Sequence, residues 1–153
     1  MENAMKAIKK IICPVDVYAF HPEAVEYALI LAQALEAEIY VIYVLEPVPP
    51  QYIGEGYSLP PDPEKQEKMK QEARAKMAEV MSRFCDVCRS KGEVVVGSAA
   101  DKIIQIAEEC AGDMIVMASY CRTLVCRAIH GSVTSKVLAN SKIPVLVIYP
   151  KEQ

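Results

Sequence analysis

The sequence has no surplus of positive charge. Its 153 residues include 17 lysines and arginines against 20 aspartates and glutamates, so the formal net charge is −3. Nucleic-acid-binding domains usually carry a basic surplus, and we therefore expect no nucleic-acid partner. Apolar residues make up 52% and charged residues 24%, which excludes wholesale disorder. At about 100–200 residues per domain, residues 1–153 are expected to form a single domain.

A long apolar run is also missing. The N-terminus leads from Met1 into a short apolar segment that Lys9 and Lys10 interrupt, which fits neither a signal peptide nor a membrane span. We therefore expect a cytoplasmic protein. Because cytosolic thiols are normally kept reduced, the six cysteines are not expected to form a disulfide framework.

Catalytic motifs are absent as well. The sequence contains neither Gly-x-Ser-x-Gly nor a Walker-type Gly-Lys-Thr/Ser run, and its two histidines, His21 and His130, have no motif context. The pair Cys85 and Cys88 has redox or metal spacing, but it falls late in a predicted helix, whereas a redox pair needs the helix N-terminus to stabilise a thiolate. We expect core packing for this pair and for Cys13 and Cys110. The sequence therefore does not predict an efficient enzyme.

Strand and helix patterns alternate along the chain. Apolar segments of strand length occur at 7–15, 39–45, 93–96, 114–118 and 144–149, and the stretches between them include helical patterns at 21–35, 64–92, 100–110 and 132–140. Residues 46–63 hold six of the ten prolines and are interpreted as a long irregular loop, with a lid function left open. Crossovers of this length give parallel strands, so the pattern predicts an open α/β sheet with helices on both faces.

Ligands bind such sheets beyond the carboxyl ends of the strands. Asp16 follows the first strand and is a candidate ligand contact, with loop capping as the alternative. Gly131 and Ser132 open the last predicted helix, where free backbone N–H groups favour an anion; a simple cap at Ser132 is the alternative. Arg122, Arg127 and His130 precede this helix and either neutralise phosphates or face solvent.

The chain resembles the universal stress protein family. Three C-terminal stretches carry the likeness, Asp113–Ser119, Gly131–Leu138 and Ile143–Ile148, together with Asp16 and the strand end Tyr43–Pro47. The resemblance implies a doubly wound, five-stranded parallel sheet that is Rossmann-like and similar to the adenine nucleotide alpha hydrolases, with strand order 3-2-1-4-5. It also implies a homodimer that acts as a stress-response binding or signalling module, with slow ATP hydrolysis left open. The last strand (143–149) is expected to be an apolar sheet edge, and pairing with its symmetry mate in the homodimer would cover that edge.

One branch of that family binds ATP through Gly-x2-Gly-x9-Gly-Ser. The same spacing here reads Ala118-x2-Cys121-x9-Gly131-Ser132, so two glycines that allow close approach of the backbone to phosphate are replaced. The resemblance implies a weak or altered site for ATP or another adenine nucleotide, lined by Asp16, Val44, Met117, Ala118, Ser119, Cys121, Gly131, Ser132 and Val133.

Two other interpretations stay open at this point. In one, Cys121 and Tyr18 close the phosphate end of the pocket and the protein is a nucleotide-independent stress dimer, although Tyr18 would also suit stacking on a base. Alternatively, Cys121 and Cys126 would form a redox-sensitive pair, or a metal site together with His130.

Overall fold

The computed structural model describes residues 6–84, 86–119 and 133–151. Strands and helices alternate along these ranges, apart from one short hairpin between β2 and α2. The elements are β1 (Lys10–Pro14), α1 (Glu23–Leu35), β2 (Glu38–Leu45), β3 (Gln51–Tyr52), β4 (Ser58–Leu59), α2 (Pro63–Ser82), β5 (Ser90–Val96), α3 (Ala99–Glu109), β6 (Met114–Ala118), α4 (Val133–Asn140) and β7 (Val145–Ile148).

Five strands form one parallel sheet in the order β5-β2-β1-β6-β7. Numbered within the sheet alone, this is the expected order 3-2-1-4-5. β1 pairs in register with β2 from Lys10↔Glu38 to Pro14↔Ile42, and β6 pairs with β7 from Ile115↔Val145 onward. The chain therefore leaves β1 in one direction and returns to its other side at β6, which creates the strand-order reversal where α/β proteins bind ligands.

Side chains of the central strands alternate between two apolar layers. Ile11 and Cys13 of β1 face the layer that contains α1 and α2, whereas Ile12 faces the layer that contains α3 and α4. All three are fully buried, and burying an isoleucine side chain stabilises the fold by about 1.5–3 kcal/mol. Because successive strand residues point to opposite faces, nearly continuous apolar strands are what a sheet covered on both faces requires.

Asp113 joins the start of β6 to the start of β1. Its carboxylate accepts backbone N–H bonds from Lys9 (2.9 Å) and Lys10 (3.1 Å) and pairs with Lys6 at 2.8 Å. The Lys6 hydrogen bond, together with the two backbone N–H bonds, lowers the pKa of Asp113 below its ordinary value. This contact holds the starts of β1 and β6 together. Asp16 and Ser119 follow the opposite, carboxyl ends of these two strands.

The predicted end of the second helix was wrong. α2 ends at Ser82, and Gly92, the last residue of the predicted helical pattern, lies within β5. The segment 46–63 is not wholly irregular, since β3 and β4 pair as an antiparallel hairpin. Gly54 and Gly56 take positive φ values of 106° and 83° in its turn, a backbone conformation that glycine adopts without steric cost.

The described cysteines are all free thiols. Cys13 is fully buried, and Cys88 and Cys110 are partly buried and pack against the two apolar layers, as expected. Cys88 lies in the turn after α2 rather than within a helix, and Cys85, Cys121 and Cys126 lie outside the described residues. Among the helices of the described ranges, none combines the length and the apolar character needed to cross a membrane.

Candidate functional site

A cavity of about 720 Å³ opens at the carboxyl ends of β1, β2 and β6. This volume lies within the range of about 300–1,000 Å³ that small-molecule sites occupy. Its walls come from five parts of the fold: the end of β1, the end of β2, α2, the α3 side of the sheet, and the end of β6 with the first turn of α4. The lining residues are Pro14, Val15, Asp16, Ile42, Tyr43, Val44, Leu45, Glu46, Met69, Ala99, Ile103, Met117, Ala118, Ser119, Val133 and Thr134.

Six of the nine predicted site residues line this cavity. They are Asp16, Val44, Met117, Ala118, Ser119 and Val133. Cys121, Gly131 and Ser132 lie outside the described residues, as do Arg122, Arg127 and His130. The fold therefore brings together residues that are separated by up to 117 positions in the chain (133 − 16).

Asp16 both stabilises its own loop and lines the cavity. Its Oδ1 accepts hydrogen bonds from the backbone N–H groups of Tyr18 (2.9 Å) and Ala19 (3.2 Å), which is the turn-stabilising pattern expected of aspartate in a loop. The side chain nevertheless lines the cavity. Loop capping and ligand contact are thus compatible, because the two carboxylate oxygens are separate acceptors.

Tyr18 lies outside the cavity lining. Its ring packs edge-on against Tyr43, with ring centroids 5.9 Å apart, and the Lys76 ammonium lies 5.3 Å from the Tyr18 centroid. The ring therefore neither closes the cavity nor offers a stacking face inside it. Instead, Tyr18 connects the Asp16 loop to α2 through a cation–π contact.

Tyr43 and Glu46 line the cavity together with Asp16. Partial burial raises the pKa of the Tyr43 phenol above its ordinary 10.0, and the neighbouring Asp16, Tyr18 and Glu46 raise it further. The phenol therefore stays protonated and can donate a hydrogen bond.

The opposite wall is more deeply buried. Met117 is 4% exposed, Ser119 9% and Thr134 8%. The backbone N–H of Ser119 donates to Ile148 at 2.9 Å, so the end of β6 is held by β7. Ala118 lies within β6, and Glu36 and Ala111 are the non-glycine residues with positive φ in the described ranges. Ala118 stands at the position of the first glycine in the motif, and its backbone in this chain is therefore not left-handed.

Sequence reasoning missed Tyr43, Glu46, Met69, Ile103 and Thr134. Tyr43, Glu46 and Thr134 fall inside the family-like stretches, so their neighbours were already recognised. Met69 and Ile103 reach the cavity from the helices that cover the sheet, and only tertiary packing reveals that position. From the proline-rich segment, Glu46 alone contributes to the lining, so residues 47–63 do not cover the cavity in this structure.

The described residues offer no metal centre. Across residues 6–84, 86–119 and 133–151, no group of three or more histidine, cysteine, aspartate or glutamate side chains is arranged to hold a metal ion.

Comparison with known proteins agrees with this geometry. The model of the universal stress protein family matches residues 7–149. The chain belongs to the universal stress protein family. Universal stress protein MJ0531 of Methanocaldococcus jannaschii is 31% identical over 159 aligned positions, which cover 100% of this chain and 89% of the relative.

Solved structures of universal stress proteins share the fold. One, in complex with cAMP, superimposes with a TM-score of 0.70 at 20% identity and covers 94% of this chain and 98% of its own. Another, from Archaeoglobus fulgidus in complex with dAMP, gives a TM-score of 0.66 at 20% identity over 94% of this chain and 99% of its own. At this level of identity the likeness establishes the universal stress protein fold.

Proposed function

We propose that this universal stress protein is a cytoplasmic, homodimeric binding or signalling module whose cavity holds an adenine nucleotide. The observation that carries the proposal is the convergence of Asp16, Val44, Met117, Ser119 and Val133 on one cavity at the strand-order reversal. Two solved relatives of the same fold are described in complex with cAMP and with dAMP, which supports adenine as the base. The proposed role is binding and not efficient catalysis.

The cavity has the chemistry that an adenosine group requires. Val44, Ile103 and Met117 supply apolar surface for a flat base. Asp16 supplies a carboxylate oxygen for N–H or O–H donors, since only its Oδ1 bonds the loop backbone. Val133 and Thr134 begin α4, and unpaired N–H groups in a first helical turn favour a phosphate.

A calorimetric titration with AMP, ADP and ATP tests the nucleotide site. We expect saturable heat with one site per chain and a rise in the unfolding temperature. Asp16→Asn keeps an oxygen that caps the loop and removes the charge, so binding should weaken about tenfold, the size of a lost hydrogen bond to a charged group. Asp62→Asn is the matched control, because Asp62 caps α2 at Glu64 and does not line the cavity.

The absence of both heat and a thermal shift at millimolar AMP, ADP and ATP would refute the nucleotide site. Equal weakening in Asp16→Asn and Asp62→Asn would refute the assignment of Asp16.

The outer edge of β7 supports the proposed dimer. β7 is the last strand of the sheet and pairs with β6, and its sequence Val-Leu-Val-Ile carries no charge. At the opposite edge, β5 carries Lys91 and Glu93, and charged side chains on an edge strand discourage strand pairing. Pairing β7 with its symmetry mate would cover the apolar edge with one self-complementary surface.

A further inference from the structure

The hairpin formed by β3 and β4 has an apolar face that the described residues leave exposed. Leu59 is paired with Gln51 across the hairpin, and the backbone N–H of Ile53 donates to the carbonyl of Tyr57 at 3.0 Å. Cross-strand partners share a face, as do alternate residues of one strand. Ile53, Tyr57 and Leu59 therefore form one face, the apolar face of the hairpin, and Tyr52 lies on the other.

This apolar face is exposed to an unusual degree. Ile53 is 59% exposed, Tyr57 75% and Leu59 46%. A two-stranded hairpin is at best marginally stable by itself in water, and clustered exposed apolar side chains mark a surface that another group covers. The segment 47–61 contains one charged residue, Glu55 in the turn, so the hairpin suits an apolar partner surface.

Both ends of the hairpin are attached to walls of the cavity. On one side the chain leads back to Glu46, and on the other it enters α2, whose Met69 also lines the cavity. At about 3.3 Å per extended residue, the chain from Glu46 to Ile53 spans up to about 23 Å, and the chain from Leu59 to the start of α2 about 13 Å. The apolar face is thus within reach of the cavity. Because this attachment gives the hairpin a high effective concentration at its own cavity, that cavity is favoured over a surface on another molecule.

The cavity offers apolar surface on the side of α2. Tyr43 and Met69 line it there and pack against the layer that contains α1 and α2. Both side chains are only partly buried, so part of each is open to a covering group. The hairpin and this side of the cavity are therefore chemically matched.

One hydrogen bond anchors the arm that leads into β3. The backbone N–H of Val48 donates to Oε1 of Gln66 in α2 at 2.7 Å. Nε2 of the same amide is buried and has no hydrogen-bond partner within the described ranges. A buried donor without an acceptor is costly, so a different position of the arm that brings a carbonyl oxygen to Nε2 would be stabilised. Gln66 is one helical turn before Met69, which places this anchor beside the cavity.

We propose that the hairpin is a lid, and that its apolar face closes over the α2 side of the cavity when an adenine nucleotide is bound. This inference rests on the proposed function, because the lid closes on that ligand. The structure shows the open position, in which residues 47–63 do not line the cavity. Closure covers the exposed side chains, shields the ligand from water and makes its release depend on lid opening.

A single introduced tryptophan reports on each face of the hairpin, because the chain has none. Tyr57→Trp labels the apolar face. Tyr52→Trp is the matched control, since Tyr52 is 80% exposed on the opposite face. As AMP is added, the emission of Tyr57→Trp should shift to shorter wavelength and become less sensitive to acrylamide quenching. The emission of Tyr52→Trp should change little.

Removing an apolar side chain from each face tests the contribution of closure to affinity. Covering one large apolar side chain changes an equilibrium constant by about tenfold, so Tyr57→Ser should weaken AMP binding by about that factor in calorimetry. Tyr52→Ser should leave the dissociation constant unchanged. Urea unfolding should give the same midpoint for both variants, because both side chains lie outside the core.

The outcomes separate the lid from the nucleotide site. If calorimetry shows AMP binding but the two tryptophans respond equally, or neither responds, the lid is refuted and the nucleotide site stands. Equal weakening by Tyr57→Ser and Tyr52→Ser would also refute the lid. Shielding of Tyr57→Trp without AMP that increases with protein concentration would show instead that a second copy covers the apolar face. If AMP gives no heat at millimolar concentration, the proposed function itself fails.

Discussion

At the scale of single residues, the buried thiol of Cys13 makes the stability of the protein depend on pH. The thiol is fully buried in β1, and burial raises its pKa from the ordinary 9.0 to about 12. In the unfolded chain the thiol loses its proton near pH 9, whereas the native chain keeps it until about pH 12. The contribution of this thiol to the free energy of unfolding is therefore fully present below pH 9. Above pH 9 it decreases by about 1.4 kcal/mol per pH unit.

The comparison of the wild type with Cys13→Ala isolates this effect from other titrating groups. At pH 7 the variant should be less stable by about 1–2 kcal/mol, because it loses buried apolar volume. Urea unfolding at pH 7 and pH 10 should show that the difference in free energy of unfolding between the wild type and the variant is smaller at the higher pH. A difference that is the same at both pH values would contradict the burial of a protonated thiol.

At the scale of elements, the connection from α3 to β6 depends on close packing at Gly112. A Cβ at this position would lie 2.8 Å from Cγ1 of the fully buried Ile12 and 3.1 Å from the Ala107 carbonyl oxygen. Neither neighbour is the free end of a flexible side chain. Gly112→Ala should therefore lower the free energy of unfolding by about 1–3 kcal/mol.

Ala111→Gly is the adjacent control. Ala111 has a φ of 53°, a left-handed conformation that costs a non-glycine residue about 1 kcal/mol. Glycine removes this cost but adds entropy to the unfolded chain by a similar amount, so the net change should be small. Urea denaturation of both variants checks the pair. Similar destabilisation by both substitutions would show that the loop, and not the contact with Ile12, determines the result.

The elements themselves differ in how well local sequence predicts them. The buried run of β2 and the periodic apolar face of α1 predicted these elements to within one or two residues, because their apolar patterns match their burial. The end of α2 was not predictable in this way. Phe84 and Cys88 continue the helical spacing and still pack against the core from a turn. Apolar spacing alone does not distinguish a helix from a turn that folds back onto the same core.

At the scale of the whole molecule, the two edges of the sheet predict how the chain associates. Leu146 is 36% exposed in β7, so Leu146→Lys would place a charge on the proposed dimer surface. Val87 is 40% exposed and precedes β5 at the opposite edge, so Val87→Lys makes a similar change far from β7.

Light scattering coupled to gel filtration measures the outcome at micromolar protein. The wild type and Val87→Lys should be dimers, and Leu146→Lys a monomer, because an unpaired charge buried in an interface is strongly unfavourable. A wild-type monomer, or dissociation caused equally by both variants, would count against the β7 dimer.

The site shows what a single sequence can and cannot reveal about the whole fold. Asp16 and Ser119 were predictable because each follows a buried strand, and parallel strand ends share one edge of the sheet. Met69 was not, since its place at the cavity depends on how α2 lies across the sheet. The place of Glu46 at the same cavity as Asp16 was equally hidden, because it depends on the pairing of β1 with β2.

The central claim is that the cavity between Asp16 and Val133 binds an adenine ligand, and methionine methyl NMR tests it most directly. Met69 and Met117 line the cavity from opposite sides, whereas Met77 and Met81 pack in the layer between α2 and the sheet. With isotope-labelled methionine methyl groups and increasing AMP, the Met69 and Met117 signals should shift saturably while those of Met77 and Met81 stay in place. Shifts of similar size at all four methyl groups, or at none of them at millimolar AMP, would contradict the claim.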